Sequence, residues 1–472
     1  MGEKVKERIF KLREFRYEIG IIVSFCIGFF LRFYQLDRQS LWSDELYSVY
    51  ASSLSNWSDF WTYLEEDPHP PLFQILLSFW IRILPKFSEF SVRLFPVIIS
   101  VLNLCILWFL TKTWENPKRF IFLFLISLSP GAIYYAQEVR SYSLLLCLSS
   151  IILVLFVNLE KEGNRRFGWI GLLIASILIS YVHLFGFIFV GSLYFLFWVR
   201  FLLKKNKEVK SVFYLGLITF LAFLPFVYQL SKGTKIATAS WIDPPGIVLY
   251  LAYYSLFFYT SKKFFFLTVI IPVILFMTWV VKDLRNWKRD RMEVTYSSSG
   301  TVILVAFFIV LSTSLFSLYK PIVTNRNWIV TLPLVYYFVA EHLKFSLNRW
   351  YSIVGLILLT LFSLIDFKKN FYLAFKEDWR GSAQYILRNC EPPLVVSDSY
   401  PEFLSLYLDW AGHKEFSPIL SGPVFEISQS KLCVLKRFLG GNGQELPKSM
   451  SMEKIGQTIF YGFTVEEYKR AK

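Results

Sequence analysis

Repeated apolar runs, each roughly 17–22 residues long, decide what this chain can become. A helix of that length crosses a hydrocarbon core, and lipid tolerates only a backbone that satisfies its own hydrogen bonds. The first run starts at Tyr17 and the last ends at Asp366. A soluble chain of 472 residues would show many short amphipathic elements instead. The expected fold class is an all-α polytopic membrane protein with about eleven transmembrane helices plus interfacial helices, followed by a small α/β domain. No Ala-x-Ala cleavage site follows the first run, so it reads as a retained span.

Loop charges orient the spans. The formal net charge is +15, but the basic residues cluster in short loops, which is the positive-inside pattern and argues against nucleic-acid binding. Lys4, Lys6, Arg8, Lys11, Arg13 and Arg16 place the N-terminus in the cytoplasm. The acidic stretch 37–67 then belongs outside. Residues 70–84 and 247–260 are apolar but short, and read as interfacial helices. Spans are expected at 17–36, 92–111, 119–135, 142–159, 168–183, 184–203, 211–230, 264–281, 299–318, 328–343 and 350–366.

This divides the chain into a membrane domain, 1–366, and an extracytoplasmic domain, 367–472. The tail is polar, with helix-like stretches at Trp379–Asn389 and Glu402–Trp410 and strand-like stretches at Pro393–Ser397 and Leu432–Leu435. Cys26, Cys105 and Cys147 fall in apolar runs and read as packing residues. Cys390 and Cys433 lie in the tail, where an oxidising compartment permits a disulfide; two unpaired cysteines are the alternative. No cysteine pair has metal-site spacing.

Charged groups at span ends are costly unless they face a polar cavity or one another. Four outer segments carry them: Asp44-Glu45, Asp67-Pro-His-Pro-Pro71, Gln137-Glu138-Val139-Arg140 and Asn325-Arg326-Asn327. Each alone reads as a solvated loop; together, on one face, they read as a site. His183, at the tip of a helical hairpin, faces the same side, as a polar cap or a substrate contact. Asp67, His69 and Glu138 are open to a divalent cation such as Mg, Mn or Ca, though their spacings form no metal motif. Glu89 and Arg93, at i,i+4, are expected to pair. Trp241 and Asp243 sit in a later outer loop that would serve as a lid or acceptor surface.

Several segments occur in a telling order: Trp42-Ser-Asp-Glu45, Asp67-Pro-His-Pro-Pro-Leu72, Ser88-Glu-Phe-Ser-Val-Arg-Leu-Phe-Pro96, Leu128-Ser-Pro130 and Tyr134-Tyr-Ala-Gln-Glu-Val-Arg-Ser-Tyr142. This set resembles the bacterial branch of the protein mannosyltransferase and aminoarabinose transferase group, GT-C-fold glycosyltransferases that use polyprenyl-phosphate sugars. The resemblance covers roughly residues 30–145. Lys376-Glu-Asp-Trp-Arg380 is also similar to the bacterial branch. It implies that Asp44 lies at the catalytic centre, with Glu45 beside it, and that basic residues bind the donor phosphate. Where the group often has Arg-Tyr in its late outer loop, this chain has Arg326-Asn327.

Chemistry leads to the same assignment. A polyprenyl phosphate leaves as a stabilised anion and needs no general acid, unlike the leaving group of a glycosidase. The transferase needs one base for the acceptor proton and positive charge for the phosphate. Asp44 fits the base, Arg140 and Arg326 fit the clamp, and direct displacement inverts the anomeric centre. The acceptor would be a lipid, a glycan or a protein of the cell envelope. A transporter or lipid flippase would instead carry charges near the bilayer midplane and broken helices in repeated halves. A non-catalytic scaffold would tolerate loss of Asp44 and Arg140.

Overall fold

The computed structural model describes residues 3–65, 67–84, 87–162, 166–232, 242–259, 298–346, 350–371, 376–392, 394–397, 400–420, 431–437 and 452–470. Chain contacts divide the protein into two compact units. One comprises residues 1–34, 62–73 and 96–372; the other comprises 35–61, 74–95 and 373–472.

In chain order the first helices are α1 (Glu3–Phe33), α2 (Ser43–Ser53), α3 (Trp57–Leu64), α4 (Leu72–Ile83), α5 (Glu89–Leu110), α6 (Asn116–Leu128) and α7 (Pro130–Ala136). Then come α8 (Tyr142–Glu162), α9 (Arg166–Val182), α10 (Leu184–Leu203), α11 (Val209–Lys232), α12 (Ile247–Phe257), α13 (Ser298–Tyr319), α14 (Leu332–Ser346) and α15 (Trp350–Phe371). Among the described residues five of these, α5, α8, α10, α11 and α13, are long and apolar enough to cross a membrane, and a sixth if α6 and α7 count as one bent span. The protein is thus a multi-pass membrane protein. The expected eleven spans exceed this count, in part because α9 is shorter than a full crossing. The expected span 264–281 and Trp241 lie outside the described residues.

The larger unit is a helical bundle. In α8, 78% of the apolar window is buried, against 28% in α11, so α8 is central and α11 peripheral. Phe220, Phe307 and Phe316 point outward from α11 and α13, as lipid-facing side chains do. The expected straight span 119–135 is two helices bent by 47° at Ser129-Pro130. Pro130 lacks a donor and disfavours helical geometry at the residue before it. Ser129 caps the second segment by accepting from Ala132 N–H, and donates to Leu256 O at 2.9 Å. α1 approaches α6 at Gly28, where a Cβ would lie 2.7 Å from Ser127 O. Arg32, buried beside it, donates to Gly28 O and Ser127 O, each at 2.8 Å.

The smaller unit contains α2, the start of α5 and the polar tail. In the tail, α16 (Trp379–Asn389) and α17 (Pro401–Trp410) accompany a sheet of β1 (Leu394–Ser397), β2 (Ser417–Leu420), β3 (Lys431–Arg437), β4 (Met452–Phe460) and β5 (Phe463–Arg470). Strand order is β2-β1-β3-β5-β4, with β1 parallel to both neighbours and β3, β5 and β4 antiparallel. Trp379, wholly buried, packs edge-on against Phe403 and Phe463. Cys390 and Cys433 form a disulfide, with Cα atoms 5.9 Å apart.

Candidate active site

Six of the eight site residues singled out from the sequence fall in the bundle. α9 and α10 turn at His183, and the turn needs Gly186, where a Cβ would collide with Ile179 O. His183 is the N-cap of α10, with Nδ1 accepting from Phe185 N–H at 3.1 Å. The neutral ring therefore carries its proton on Nε2. Nε2 is buried with no hydrogen-bond partner among the described residues, and His183 itself is 2% exposed. Burial, then the neighbouring His69, Arg140 and Arg326, hold this imidazole well below its ordinary pKa.

Aromatic rings pack beside it. The His69 ring stacks on His183 with centroids 4.8 Å apart. Tyr142 is 6.0 Å from His183, and the Arg326 guanidinium lies 5.8 Å over the Tyr142 ring. Asp67 accepts from His69 N–H at 2.9 Å and orients the turn into α4. Gln137 donates to Leu31 O, Arg32 O and Tyr34 O, closing the end of α1 and fixing the backbone that carries Glu138 and Arg140. Asn327, at the departure from Arg-Tyr, is a structural cap: its Oδ1 accepts from Thr324 N–H at 2.7 Å and from the Thr324 hydroxyl. The span expected to begin at Trp328 begins instead as a short 3₁₀ turn, Asn325–Thr331, which presents Arg326. Among the described residues no group of three or more His, Cys, Asp or Glu is arranged to hold a metal ion, so Asp67, His69 and Glu138 do not form one.

Asp44 and Glu45 belong to the smaller unit and behave differently. Both lie in the first turn of α2, where the N-terminal dipole favours negative charge. Asp44 is half-buried. Glu45 is fully buried, receiving Arg93 Nε at 3.0 Å, Arg93 Nη2 at 2.8 Å and Lys376 Nζ at 3.1 Å. Arg93 does not pair with Glu89 as the i,i+4 spacing suggested. Its other donors reach the carbonyls of Leu36, Gln39 and Ser40. Glu89 takes Arg380 at 2.8 Å and the Tyr407 hydroxyl at 2.9 Å. Sequence reasoning gave Tyr407 no role, and a lone Tyr on an apolar helix face carries no signal.

Residues 68–228 match the family model described as dolichyl-phosphate-mannose-protein mannosyltransferase. No functionally curated protein matches the chain in sequence. Among solved structures, ArnT from Cupriavidus metallidurans in the apo state aligns with a TM-score of 0.56 at 12% identity, covering 95% of this chain and 97% of that one. The same ArnT bound to undecaprenyl phosphate gives 0.55, at 12% identity and with the same coverage. The Archaeoglobus fulgidus oligosaccharyltransferase in its apo form gives 0.52 at 12% identity, covering 86% of this chain and 64% of that one. The chain is a GT-C-fold membrane protein whose residues 68–228 match the dolichyl-phosphate-mannose-protein mannosyltransferase family.

Proposed function

We propose that the protein is an inverting glycosyltransferase that moves a sugar from a polyprenyl-phosphate donor to an envelope acceptor at the outer membrane face. The gathering of His69, Tyr142, His183, Arg140 and Arg326 carries this reading. Two arginines beside a neutral, proton-bearing imidazole suit a phosphate that gains charge as its bond to sugar C1 breaks. The match to the mannosyltransferase model and the ArnT structure bound to undecaprenyl phosphate support the donor class.

In the proposed reaction an acceptor hydroxyl or amine attacks C1. The C1–O bond to phosphate breaks, and its electron pair goes to the phosphate oxygen. Asp44 takes the acceptor proton. Arg140 and Arg326 hold the phosphate, and His183 Nε2–H donates a hydrogen bond to it. Glu45, engaged by Arg93 and Lys376, positions its neighbour rather than meeting substrate. Asp67 shapes the turn that carries His69, and Glu138 is read as a contact to the donor sugar. No step is assigned to a metal. The basic N-terminus supports a cytoplasmic start, and the Cys390–Cys433 disulfide supports an extracytoplasmic tail.

Purified protein given radiolabelled polyprenyl-phosphate hexoses and an envelope extract is expected to transfer label and release polyprenyl phosphate. Absence of transfer from every donor tried would contradict the proposal.

A further inference from the structure

We propose that Lys376 and Glu377 form a clamp that sets the position of Asp44, so that the tail segment is part of the catalytic machinery. This rests on the reading of Asp44 as the base.

The two residues flanking Asp44 are both held by this consecutive pair. Lys376 Nζ binds Glu45 at 3.1 Å. Glu377 Oε2 accepts from Ser43 N–H at 2.9 Å and also from the Ser43 hydroxyl. Opposite charges on adjacent tail residues thus grip the positions before and after Asp44, fixing the first turn of α2 from both sides. Backbone and side chain of Ser43 are both held, which fixes the backbone from which the Asp44 side chain projects.

Glu377 is itself fixed by parts remote in sequence. Arg437, at the end of β3, binds Glu377 Oε1 through Nε at 2.7 Å and through Nη2. Trp379 Nε1 donates to Oε2 at 3.2 Å. The β4–β5 turn closes over it: Gly462, at φ +84°, leaves room for Glu377 Cγ, which a Cβ would meet at 3.1 Å. Tyr461 O accepts from Asp378 N–H at 2.9 Å. Asp378 caps α16, and Arg380 donates to the carbonyls of Asp37 and Arg38 at 3.0 and 2.8 Å. Lys376 and Glu377 therefore grip the first turn of α2, Arg380 grips the loop that leads into it, Trp379 braces Glu377, and Asp378 caps the helix that carries Arg380.

The test compares Glu377→Gln, Ser43→Ala, Arg437→Lys and Arg437→Met with wild type, in the full chain, normalised to folded protein by thermal melting. The clamp predicts that Glu377→Gln and Arg437→Met lower kcat about tenfold or more. It also predicts that KM for donor and acceptor stays within about twofold, since binding is not what the clamp supplies. Arg437→Lys should retain most of the activity. Ser43→Ala loses only the hydroxyl contact and gives a smaller fall, which keeps the test decisive if Glu377→Gln does not fold. A brace that serves stability alone would lower the melting temperature and leave kcat per folded molecule unchanged, overturning the proposal. Asp44→Asn separates the two readings. If it is inactive while Glu377→Gln and Ser43→Ala keep wild-type kcat, the clamp fails and the base stands; if it is active, the base itself fails.

Discussion

Arg93 meets Glu45 as a two-pronged pair, Nε at 3.0 Å to one carboxylate oxygen and Nη2 at 2.8 Å to the other, with both side chains buried. The residue next to the proposed base is therefore anchored rather than free to react. Charge at this depth is tolerable because all the Arg93 donors find acceptors and both Glu45 oxygens accept hydrogen bonds.

Breaking this pair from one side leaves a buried charge uncompensated. Arg93→Met is expected to destabilise the protein by about 3–5 kcal/mol, and Glu45→Met by a similar amount. The Arg93→Met/Glu45→Met double variant should recover part of that loss. Unfolding in detergent checks this; additive losses would contradict the coupling.

Acid should weaken the protein through His183. Burial, His69, Arg140 and Arg326 hold its folded pKa well below the usual 6.5. The unfolded chain then binds a proton that the folded chain refuses. Stability falls as pH drops below 6.5, by at most about 1.4 kcal/mol per pH unit. His183→Asn keeps an N-cap acceptor but cannot titrate, and is expected to flatten the difference between pH 6.5 and 5.

The arginine cluster predicts a donor-specific defect. Arg326→Gln and Arg140→Gln should each lower kcat/KM for the polyprenyl-phosphate sugar by roughly ten- to a thousandfold. Wild-type steady-state kinetics in either variant would remove that arginine from the phosphate site.

Reducing the Cys390–Cys433 disulfide should loosen the tail. The cysteines are 43 residues apart, which corresponds to about 4 kcal/mol of chain entropy in the unfolded state. Thermal melting with and without reductant reads this; an unchanged transition would show that the bridge adds nothing to stability.

Much of the bundle was legible because hydropathy and helix length report directly on crossing a membrane. α10 occupies the span expected at 184–203, and α16 occupies the expected Trp379–Asn389. The kink at Ser129 was written in Ser-Pro but hidden by continuous apolarity. β4 and β5 were not seen: their alternation is masked by exposed Ile455 and Ile459 and by charged cross-strand partners such as Glu466. Charge and polarity at span ends singled out Arg140, His69, His183 and Arg326, which lie near one another in the bundle. The grip of residues 376–380 on the first loop was not, because spacing along the chain says nothing about contacts more than 300 positions apart. For the same reason the Glu89–Arg93 spacing misled: two stronger long-range partners took their place.

If Asp44 takes the acceptor proton, Asp44→Asn removes the base of the proposed reaction. The amide keeps the size of the carboxylate and removes its basicity, so the fold should survive. Transfer from a radiolabelled polyprenyl-phosphate sugar should fall by about a hundredfold or more, with donor binding retained. Transfer at the wild-type rate by folded Asp44→Asn would remove Asp44 as the base.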